Sequence, residues 1–534
     1  MQTKKLLPLL PLALATSCAK VEEPRPNILW VMLEDWSTDA GCYGTKGVHT
    51  PNIDKLASEG ILYTNAYTTA PVSSASRSAM MTGYYQNFVH GNQHRLASED
   101  KQPLPEGVVP VPHLMKANGY YTQLMHYKTD CNYTPFAPAD LFEDTRYWDK
   151  RNPEEPFFTG ENTQRKEGQP FFARMTFHGT HRTWKRDPER PIATEDVELP
   201  PYYYDNDFVR RDWANGLEQL QLCDRELGEL MEQIDKEGLR ENTIVIFLAD
   251  NGRCHIRGKQ FLYEPGVKVP MIIRWPGKIK PGQRSDVMVN TLDIVKTVID
   301  LAGAKTQIPL HGMNLFGNEI NEREYLFFAR DRMDETHDAM RSVRSKDGLK
   351  LIHNLMPERP YLQYNQYKET SYPVLAEMNY LYLTGQLNEV QARFFAATKP
   401  EYELYDLNND PYEINNLADD AEYAAQKATL LAALNDWRTN TIHDQGVSDD
   451  FRALNIYPEQ CPEVSTDAFI AKTYGQYDVK RYGWPAFYPT RSAEEWKTIR
   501  DLWKEYIYRD ASVPPVRPPF SELSKRMKKN KKKK

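Results

Sequence analysis

Two apolar runs constrain the fold of this 534-residue chain more than any other feature. The segments Asn27–Leu33 and Thr243–Ala249 are continuously apolar after their first residue, which is typical of strands buried on both faces of a parallel sheet. Each run ends in acidic or amide side chains, which are Glu34 and Asp35 in the first run and Asp250 and Asn251 in the second. Because α/β sheets bind ligands at the carboxyl ends of their strands, the sequence predicts a site where these residues meet.

The other elements alternate in a way that predicts the fold class. Helical patterns indicate helices at residues 109–117, 217–234 and 292–302, and residues 120–125, 171–177 and 269–275 read as strands. Strands that alternate with helices predict an α/β fold with a large mixed, mostly parallel sheet covered by helices on both faces. After about residue 320, short strands such as residues 325–329 and 349–353 cluster without crossover helices. This pattern of short strands predicts a smaller C-terminal α+β subdomain that contains an antiparallel sheet.

The length of the chain and the changes in its residue pattern together predict five parts. We assign residues 1–18 to an export signal, 19–25 to a tether, 26–320 to a catalytic domain, 321–440 to the C-terminal subdomain and 441–534 to a C-terminal extension. The extension is rich in Tyr, Trp and Pro and ends in a basic tail that we expect to be disordered. We assign no role to the extension.

Charge restricts the kinds of partner that this chain can take. The formal net charge is -7 at pH 7, although eight Lys and Arg residues lie within residues 525–534. The rest of the chain therefore carries a charge of about -15. An acidic body does not attract a polyanion over its whole surface, so an anionic substrate needs a local basic patch. We interpret the tail as a solvated run, with nucleic-acid binding as the weaker alternative, and we expect no nucleic-acid partner.

The N-terminus has the pattern of an export signal. Lys4 and Lys5 precede an apolar stretch at residues 6–15, which is too short to span a membrane. Residues 15–18, Ala-Thr-Ser-Cys, are similar to a bacterial lipobox in which Cys18 would carry the lipid, although alanine stands where leucine is usual. The alternative is an ordinary secretory signal. Both interpretations predict export to the periplasm or cell surface of a Gram-negative bacterium, and the first adds a lipid anchor.

Cysteine usage argues against a disulfide framework. Beyond Cys18 the chain has five scattered cysteines, Cys42, Cys131, Cys223, Cys254 and Cys461. Neither their odd number nor their spacing suggests regular pairing, and no Cys/His spacing suggests zinc.

The segment from Ser73 to Gly83 reads Ser-Ser-Ala-Ser-Arg-Ser-Ala-Met-Met-Thr-Gly. It resembles the signature of type I sulfatases, the formylglycine-dependent members of the alkaline phosphatase superfamily. In that signature the first position is Cys or Ser, the third Pro or Ala, the fourth Ser and the fifth Arg, and Thr-Gly closes it. Residues 50–60 and 403–417 are also similar to family segments, so the resemblance runs from about residue 26 to about residue 440. It implies an alkaline phosphatase-like fold.

The resemblance implies a modified residue. The first signature residue of the family is oxidised after synthesis to formylglycine (3-oxoalanine), and here it would be Ser73, matured by an oxygen-independent radical enzyme. A serine hydroxyl is a weak nucleophile at neutral pH, whereas the hydrate of an aldehyde has one hydroxyl to attack sulfur and another to expel sulfate later. Arg77 offers a planar fork of donors for these oxygens and for the sulfate. The apolar run after it predicts a helix that begins at the site, where its N-terminus favours an anion.

The residues after the two apolar strands suit a hard cation. Glu34, Asp35, Asp250 and Asn251 offer only oxygen ligands, which favours Ca²⁺, with Mg²⁺ as the second choice, over zinc. The resemblance implies that they hold calcium beside the modified Ser73, although Glu34 stands where Asp is more usual. A helix cap or a turn is the alternative for either pair alone.

The resemblance also implies further catalytic residues. His181 would be the general acid that protonates the leaving sugar oxygen, a task suited to a group that titrates near neutrality, whereas we interpret His178 as structural. Lys259 would hold a sulfate oxygen. Lys128 matches a family Lys-x-His segment, but Asp130 replaces the His that ejects sulfate. Asp130 or another group would perform that step.

His94 and Arg95 follow the signature helix and supply polar and cationic groups. We expect them to lie near the mouth of the site and to contact a sulfated sugar.

These residues predict a sulfatase that hydrolyses sulfate esters of a sulfated glycan, such as a glycosaminoglycan or an algal polysaccharide. The pattern around Lys128 and Lys259 favours the N-sulfoglucosamine sulfohydrolase-like branch, which makes an S–N bond a second candidate. One alternative is a phosphoesterase of the same superfamily that uses unmodified Ser73, although the pattern at residues 75–77 argues against it. Another is a catalytically silent glycan-binding lipoprotein, against which the nearly complete catalytic set argues.

Overall fold

The computed structural model describes residues 25–94, 96, 100–125, 130–133, 148–151, 165–182, 184–334, 336–363, 365–383, 385–396 and 398–448. The predicted export signal, Arg95, Lys128 and residues 449–534 lie outside the described residues. The strands are β1 Asn27–Leu33, β2 Ile61–Tyr63, β3 Ala66–Tyr67, β4 Tyr121–Met125, β5 Lys150–Arg151, β6 Phe171–Phe177, β7 Thr243–Ala249, β8 Met271–Arg274, β9 Gln283–Ser285, β10 Val289–Asn290, β11 Tyr325–Arg330, β12 Met340–Ser345, β13 Leu349–Asn354 and β14 Tyr402–Asp406. The helices are α1 Pro51–Ser58, α2 Ser73–Met80, α3 Val111–Ala117, α4 Asp207–Lys236, α5 Glu264–Val267, α6 Thr291–Leu301, α7 Gln366–Ser371, α8 Pro373–Leu383, α9 Glu389–Ala392 and α10 Ala424–Asp436.

Eight strands form a large sheet in the order β5-β4-β6-β1-β7-β8-β2-β9. The central strand β1 is parallel to both of its neighbours, β6 and β7, and β4 is parallel to β5 and β6. By contrast, β8 runs antiparallel to β7 and to β2. The sheet is therefore mixed and mostly parallel, which confirms the predicted fold class.

Strand β1 sends its side chains into two cores, because successive side chains of a strand point to opposite faces. Leu29, Val31 and Leu33 pack in a cluster with side chains of α1 and α4. On the other face, Ile28, Trp30 and Met32 pack in a cluster with side chains of α3 and α6. Helices thus cover both faces of the sheet, as predicted. Within the described part of the chain, no helix combines the length and the apolarity that crossing a bilayer requires.

A second sheet follows in the chain. Its four strands are ordered β11-β12-β13-β14, and all neighbours are antiparallel. Val343, Leu351 and Leu404 of this sheet pack against α10, and the same cluster includes Ala79 of α2 and Leu292 of α6. The predicted antiparallel sheet is confirmed, and it docks on helices of the first sheet. The domain boundary near residue 320 stays a prediction.

Helix α4 is longer at its N-terminus than predicted, since it begins at Asp207 and not near residue 217. Asn206 caps it by accepting the backbone N–H of Val209. The first turns bury polar side chains that have tertiary partners, such as Asp212, whose Oδ2 lies 2.7 Å from Nη2 of Arg182. Buried polar residues interrupt the hydrophobic period, so the pattern marks only the later turns of the helix.

Helix α6 is anchored by the buried carboxylate of Asp293. This carboxylate accepts the backbone N–H groups of Asn290 at 2.7 Å and of Met313 at 2.8 Å. It also pairs with Arg323, whose Nη2 lies 2.6 Å from Asp293 Oδ1. Because Arg323 lies just before β11, this ion pair joins a helix of the first sheet to the start of the second.

We therefore predict that Asp293→Ala lowers the free energy of unfolding by about 3–5 kcal/mol, because the loss of one partner leaves Arg323 buried without its counter-charge. The control on the same helix is Lys296→Ala, which removes a partly exposed pair with Asp300 and should cost less than about 1 kcal/mol. Thermal unfolding followed by circular dichroism measures both. Equal shifts of the unfolding midpoint would contradict the prediction.

Candidate active site

The two acidic pairs predicted from the sequence meet at one edge of the large sheet. Glu34 and Asp35 follow β1, Asp250 and Asn251 follow β7, and these strands are parallel neighbours. The backbone N–H of Asp35 donates to Asp250 Oδ1 at 2.9 Å. Asp35 has a φ of 51°, in the left-handed region that aspartate enters more readily than most residues. This turn brings the carboxylate of Asp35 beside the end of β7.

Helix α2 brings Ser73 to the same edge. Ser73 is the first residue of the helix and is 3% exposed. Its Oγ lies 3.1 Å from Asn251 Oδ1 and 3.3 Å from Asp35 Oδ1. Ser76 Oγ donates to the carbonyl oxygen of Asp250 at 2.5 Å, which holds the helix against the end of β7. The predicted helix at the site is present, and its N-terminus carries a partial positive charge that favours an anion.

Arg77 is fully buried and joins the two acidic pairs. Its Nε donates to Asp250 Oδ2 at 2.8 Å, and its Nη2 donates to Glu34 Oε1 at 2.9 Å. Burial alone would lower the pKa of Arg77, but the charges of Asp250 and Glu34 raise it above its ordinary value. We expected this fork to hold the oxygens of residue 73 and the sulfate. In the structure it holds the carboxylates, because buried carboxylates need a counter-charge.

The three carboxylates have different pKa values. Burial raises the pKa of Asp250, and Arg77 offsets this only in part, since Asp35 and Glu34 add repulsion. Burial also acts to raise the pKa of Asp35, but Lys259 and His181 outweigh it and bring the pKa to about 2. The pKa of Glu34 lies below its usual range, because Arg77 and a hydrogen bond from His178 outweigh its burial.

Lys259 lies between Asp35 and Ser73. Its Nζ donates to both carboxylate oxygens of Asp35, at 2.7 and 2.8 Å, and lies 3.4 Å from Ser73 Oγ. Burial would lower the pKa of Lys259, but the charges of Asp35 and Asp250 raise it. The structure therefore places a charged ammonium group beside the hydroxyl of Ser73, at the residue where the sequence predicts a sulfate-binding lysine.

Two histidines follow β6 and stack with their ring centroids 5.1 Å apart. His181 donates from Nδ1 to the carbonyl oxygen of Arg182 at 2.7 Å, because a carbonyl can only accept, and its Nε2 lies 3.7 Å from Asp35 Oδ2. Burial lowers the pKa of His181, although the charge of Asp35 opposes this. His178 pairs through Nδ1 with Glu34 Oε2 at 2.5 Å, and this hydrogen bond raises the pKa of His178.

The described residues offer donor atoms for a metal ion. Oδ1 of Asp35, Oδ1 of Asn251 and Oγ of Ser73 converge within hydrogen-bond distance, an all-oxygen set that suits a hard cation. Glu34 and Asp250 lie beside them with their oxygens turned to Arg77. A second set is mixed, since donor atoms of Glu34, His178 and His181 lie within 4.8 Å of one another. The sequence did not single out the histidines of this second set as ligands.

Asp130 and His94 lie close to helix α2. The charge of Asp130 contributes to the raised pKa of Arg77. The segment that carries Asp130 is held against helix α2, because the backbone N–H of Asn132 donates to Ser78 Oγ at 2.9 Å. His94 is 3% exposed, with Nδ1 2.6 Å from Ser74 Oγ. It therefore lies behind the first turn of α2 and not at an open mouth. Its contact with sugar stays a prediction, as do the roles of Arg95 and Lys128, which the structure does not describe.

Sequence reasoning missed two residues of α7 that reach the site. The ring of Tyr367 lies 5.1 Å from the ring of His181 and 5.3 Å from Nζ of Lys259. Its neighbour Lys368 donates from Nζ to the backbone carbonyl of Lys259 at 2.9 Å. No motif surrounds these residues, so only the tertiary fold reveals them.

Comparison with known proteins agrees with the geometry. The fold and the site define a hydrolase of the alkaline phosphatase superfamily. A family model described as Sulfatase matches residues 26–304, and a model described as N-sulphoglucosamine sulphohydrolase, C-terminal, matches residues 252–397. The chain belongs to the type I sulfatase family and is a sulfuric ester hydrolase.

Individual proteins and solved structures are similar to this chain over most of its length. An ulvan-active sulfatase of Formosa agariphila is 32% identical over 449 residues, which cover 78% of this chain and 75% of the relative. The N-sulphoglucosamine sulphohydrolase of Homo sapiens is 26% identical over 471 residues, with coverages of 79% and 91%. The crystal structure of a phosphonate monoester hydrolase of Agrobacterium radiobacter has a TM-score of 0.57 at 18% identity and covers 80% of this chain and 99% of its own. This last likeness shows a shared fold alone.

The contacts of Tyr367 predict its effect on turnover. Tyr367→Leu should lower kcat for sulfate-ester hydrolysis by about tenfold or more, because His181 and Lys259, which the sequence predicts to be catalytic, lose the ring beside them, and small displacements of such groups are costly. Tyr367→Phe keeps the ring and should retain most of the activity. Steady-state kinetics of both variants, with melting temperatures as a folding control, test this. Equal kcat values for the two would show that the ring contact is unimportant.

Proposed function

We propose that this protein hydrolyses sulfate esters of a sulfated glycan, with Ser73 oxidised to formylglycine and with a divalent metal ion, Ca²⁺ in preference to Mg²⁺. The observation that carries the proposal is the set of groups around Ser73 Oγ. Asp35, Asn251 and Lys259 all approach this oxygen within 3.4 Å, at the N-terminus of α2. A serine that only capped a helix would not need a buried ammonium and two oxygen ligands around its hydroxyl.

The names of the relatives support the class of substrate. One relative is described as ulvan-active, and another as an N-sulphoglucosamine sulphohydrolase, so both names refer to sulfated carbohydrates. The C-terminal family match extends the second likeness to residues 252–397. We therefore propose a sulfated glycan or its fragments as the substrate, with an O-sulfate as the first candidate bond and an N-sulfate as the second.

The donor set supports a calcium-type ion. Ser73, Asp35 and Asn251 would hold it together with Glu34 and Asp250, whose carboxylates also pair with Arg77 in the structure. Oxygen ligands from carboxylates and an amide suit Ca²⁺, which accepts six to eight such ligands in flexible geometry. When bound, the ion would supply positive charge that orients the oxygens of residue 73.

Cationic side chains would bind the sulfate group. Lys259 is charged and lies beside Ser73, so it can hold a sulfate oxygen and stabilise the charge that develops as the S–O bond breaks. Arg77 neutralises Glu34 and Asp250, which would otherwise repel an anion. Oxidised to formylglycine, residue 73 would supply two hydroxyls of a hydrate in place of one weak hydroxyl. Lys128 is proposed as a further sulfate ligand from the sequence alone.

Two groups are proposed for proton transfer. His181 keeps Nδ1 on the carbonyl of Arg182, so its second proton sits on Nε2 and can pass to the leaving sugar oxygen. Asp130 lies close enough to Arg77 for their charges to interact. We assign to Asp130 the base step that releases sulfate, in the place of the family His.

The setting of the enzyme is also proposed. The N-terminal segment supports export to the periplasm or cell surface, with a lipid anchor on Cys18, and a large extracellular polymer would be accessible there. Ser73 needs a radical-type maturase as a partner during biogenesis, since a serine signature stands in place of the cysteine form. A preparation made without that partner should fold and stay inactive.

We predict that Ser73 in active enzyme is lighter by two hydrogens than serine. Mass spectrometry of the peptide that carries it, alongside sulfate release from ulvan oligosaccharides and N-sulphoglucosamine, tests this. Ser73→Ala should abolish sulfate release, whereas Ser58→Ala, an exposed serine of α1, should not. Full activity with plain serine at position 73 would refute the mechanism, and faster release of phosphate from matched sugar phosphates would favour the phosphoesterase alternative.

We also predict a requirement for a divalent ion. Exhaustive chelation should stop sulfate release, and Ca²⁺ should restore it better than Mg²⁺, because the donor set is all oxygen. Asn251→Ala should raise the Ca²⁺ concentration for half-maximal activity by at least about tenfold. Asn242→Ala, on the surface just before β7, is the matched control. Unchanged activity after chelation, or an unchanged calcium requirement in Asn251→Ala, would contradict the proposed site.

A further inference from the structure

A surface cavity of about 500 Å³ lies at the edge of the large sheet opposite the active site. Its charged lining residues are Glu59, Arg240, Arg274, Lys278 and Lys280. Because β8 runs antiparallel to β7, Arg274 is opposite Val245, near the start of β7. Asp250 lies five positions beyond Val245 in the chain, which is about 17 Å along a strand. The cavity is therefore separate from the catalytic centre.

Arg274 is the unusual group in this cavity wall, since it is 1% exposed yet poorly paired. Its Nη1 donates to Glu59 Oε2 at 3.3 Å, whereas its Nε and Nη2 have no hydrogen-bond acceptor among the described residues. These two nitrogens form one edge of the guanidinium, the edge that binds two oxygens of a single oxyanion. A buried donor without an acceptor is costly, and an ion absent from the structure is one of the few explanations for it.

Three carboxylates, those of Glu59, Asp235 and Glu241, lie near four cationic side chains, those of Arg240, Arg274, Lys278 and Lys280. Glu59 also accepts Nη2 of Arg240 at 2.7 Å, so one carboxylate serves two guanidinium groups. The other acidic neighbours, Asp235 at 2.9 Å and Glu241 at 4.0 Å, pair with Arg240 and do not line the cavity. Burial and the charge of Arg240 lower the pKa of Arg274, and the charges of Glu59 and Asp235 oppose this only in part. Lys278 and Lys280 add two exposed positive charges at the rim.

We propose that this cavity is a second binding site, which takes a sulfate group of an anionic polysaccharide and holds the polymer away from the reaction centre. Nε and Nη2 of Arg274 would bind two oxygens of one sulfate group, and Lys280 would contact a neighbouring anionic group. A chain with net charge -7 needs such a local basic patch to retain a polyanion. The identity of the polymer rests on the proposed function, whereas the anion site rests on Arg274 itself.

The experiment measures binding and not turnover. Dextran sulfate and inorganic sulfate are titrated by calorimetry into the full chain that carries Ser73→Ala, and into the same chain with Arg274→Gln, Lys280→Ala or Lys346→Ala added. Lys346 is an exposed lysine in the turn between β12 and β13, so its variant makes the same change in net charge. We expect Arg274→Gln to weaken polymer binding by about tenfold or more and Lys280→Ala by a few-fold, while Lys346→Ala leaves it unchanged.

Results that differ from these expected affinities would overturn the proposal. Equal polymer affinity in all variants would refute the binding site. A lower melting temperature of Arg274→Gln with unchanged polymer affinity would also refute it, because that result indicates a structural role for Arg274. Binding of inorganic sulfate that depends on Arg274, with polymer binding that does not, would overturn the polysaccharide assignment. If Arg274→Gln fails to fold, the polymer affinities of Lys280→Ala and Lys346→Ala are compared instead, and equal affinities would refute the site. Enzyme with Lys280→Ala but with Ser73 intact should release sulfate from a monosaccharide sulfate at the rate of the unsubstituted enzyme. If the unsubstituted enzyme releases no sulfate, only the proposed function is refuted.

Discussion

Glu34, Asp35 and Asp250 bring three carboxylates into a region that excludes water, and the rest of the site is arranged around their charge. Charges that leave water must be paired, and Arg77 and Lys259 do this from opposite sides. Two further groups add positive charge near the cluster: Arg174, which is buried and interacts with Asp250, and His178, whose pKa is raised by Glu34. A divalent cation among the same oxygens would add positive charge that favours an anionic substrate. Under the proposed function, the metal ion and the anionic substrate would therefore favour each other's binding.

The scaffold explains why this charge cluster can exist. Strands β1 and β7 are buried on both faces and paired in parallel, so their ends are fixed at one edge with little freedom. Backbone hydrogen bonds then aim the side chains, as when the N–H of Asp35 binds the carboxylate of Asp250. Helix α2 is held to the same edge through Ser76 and offers the positive end of its dipole. Ser73, the proposed nucleophile, is thus positioned by a helix that is fixed against the sheet.

Much of this arrangement could be predicted from the sequence, because it rests on local patterns. Continuous apolar runs revealed β1 and β7, and the polar residues after these two strands revealed the acidic pairs. Interactions between distant segments could not be predicted in this way. The partners of Arg77, the burial of His94 behind Ser74 and the reach of Tyr367 into the site all depend on contacts between distant segments. The early turns of α4 were missed for the same reason, since Asp212 looks exposed in the sequence and is paired in the fold.

The mixed character of the sheet has a consequence for charge. In a fully parallel sheet every strand would end at the active-site edge, and polar residues after the strands would collect there. Strand β8 reverses this direction, so its last residue, Arg274, lies at the edge where β7 begins. The chain between β7 and β8 thus leads from the acidic cluster after β7 to a strand that ends in a basic group at the far edge. One reversal of strand direction thus places the acidic cluster, our proposed metal site, and the basic group of Arg274, our proposed anion site, at opposite ends of neighbouring strands.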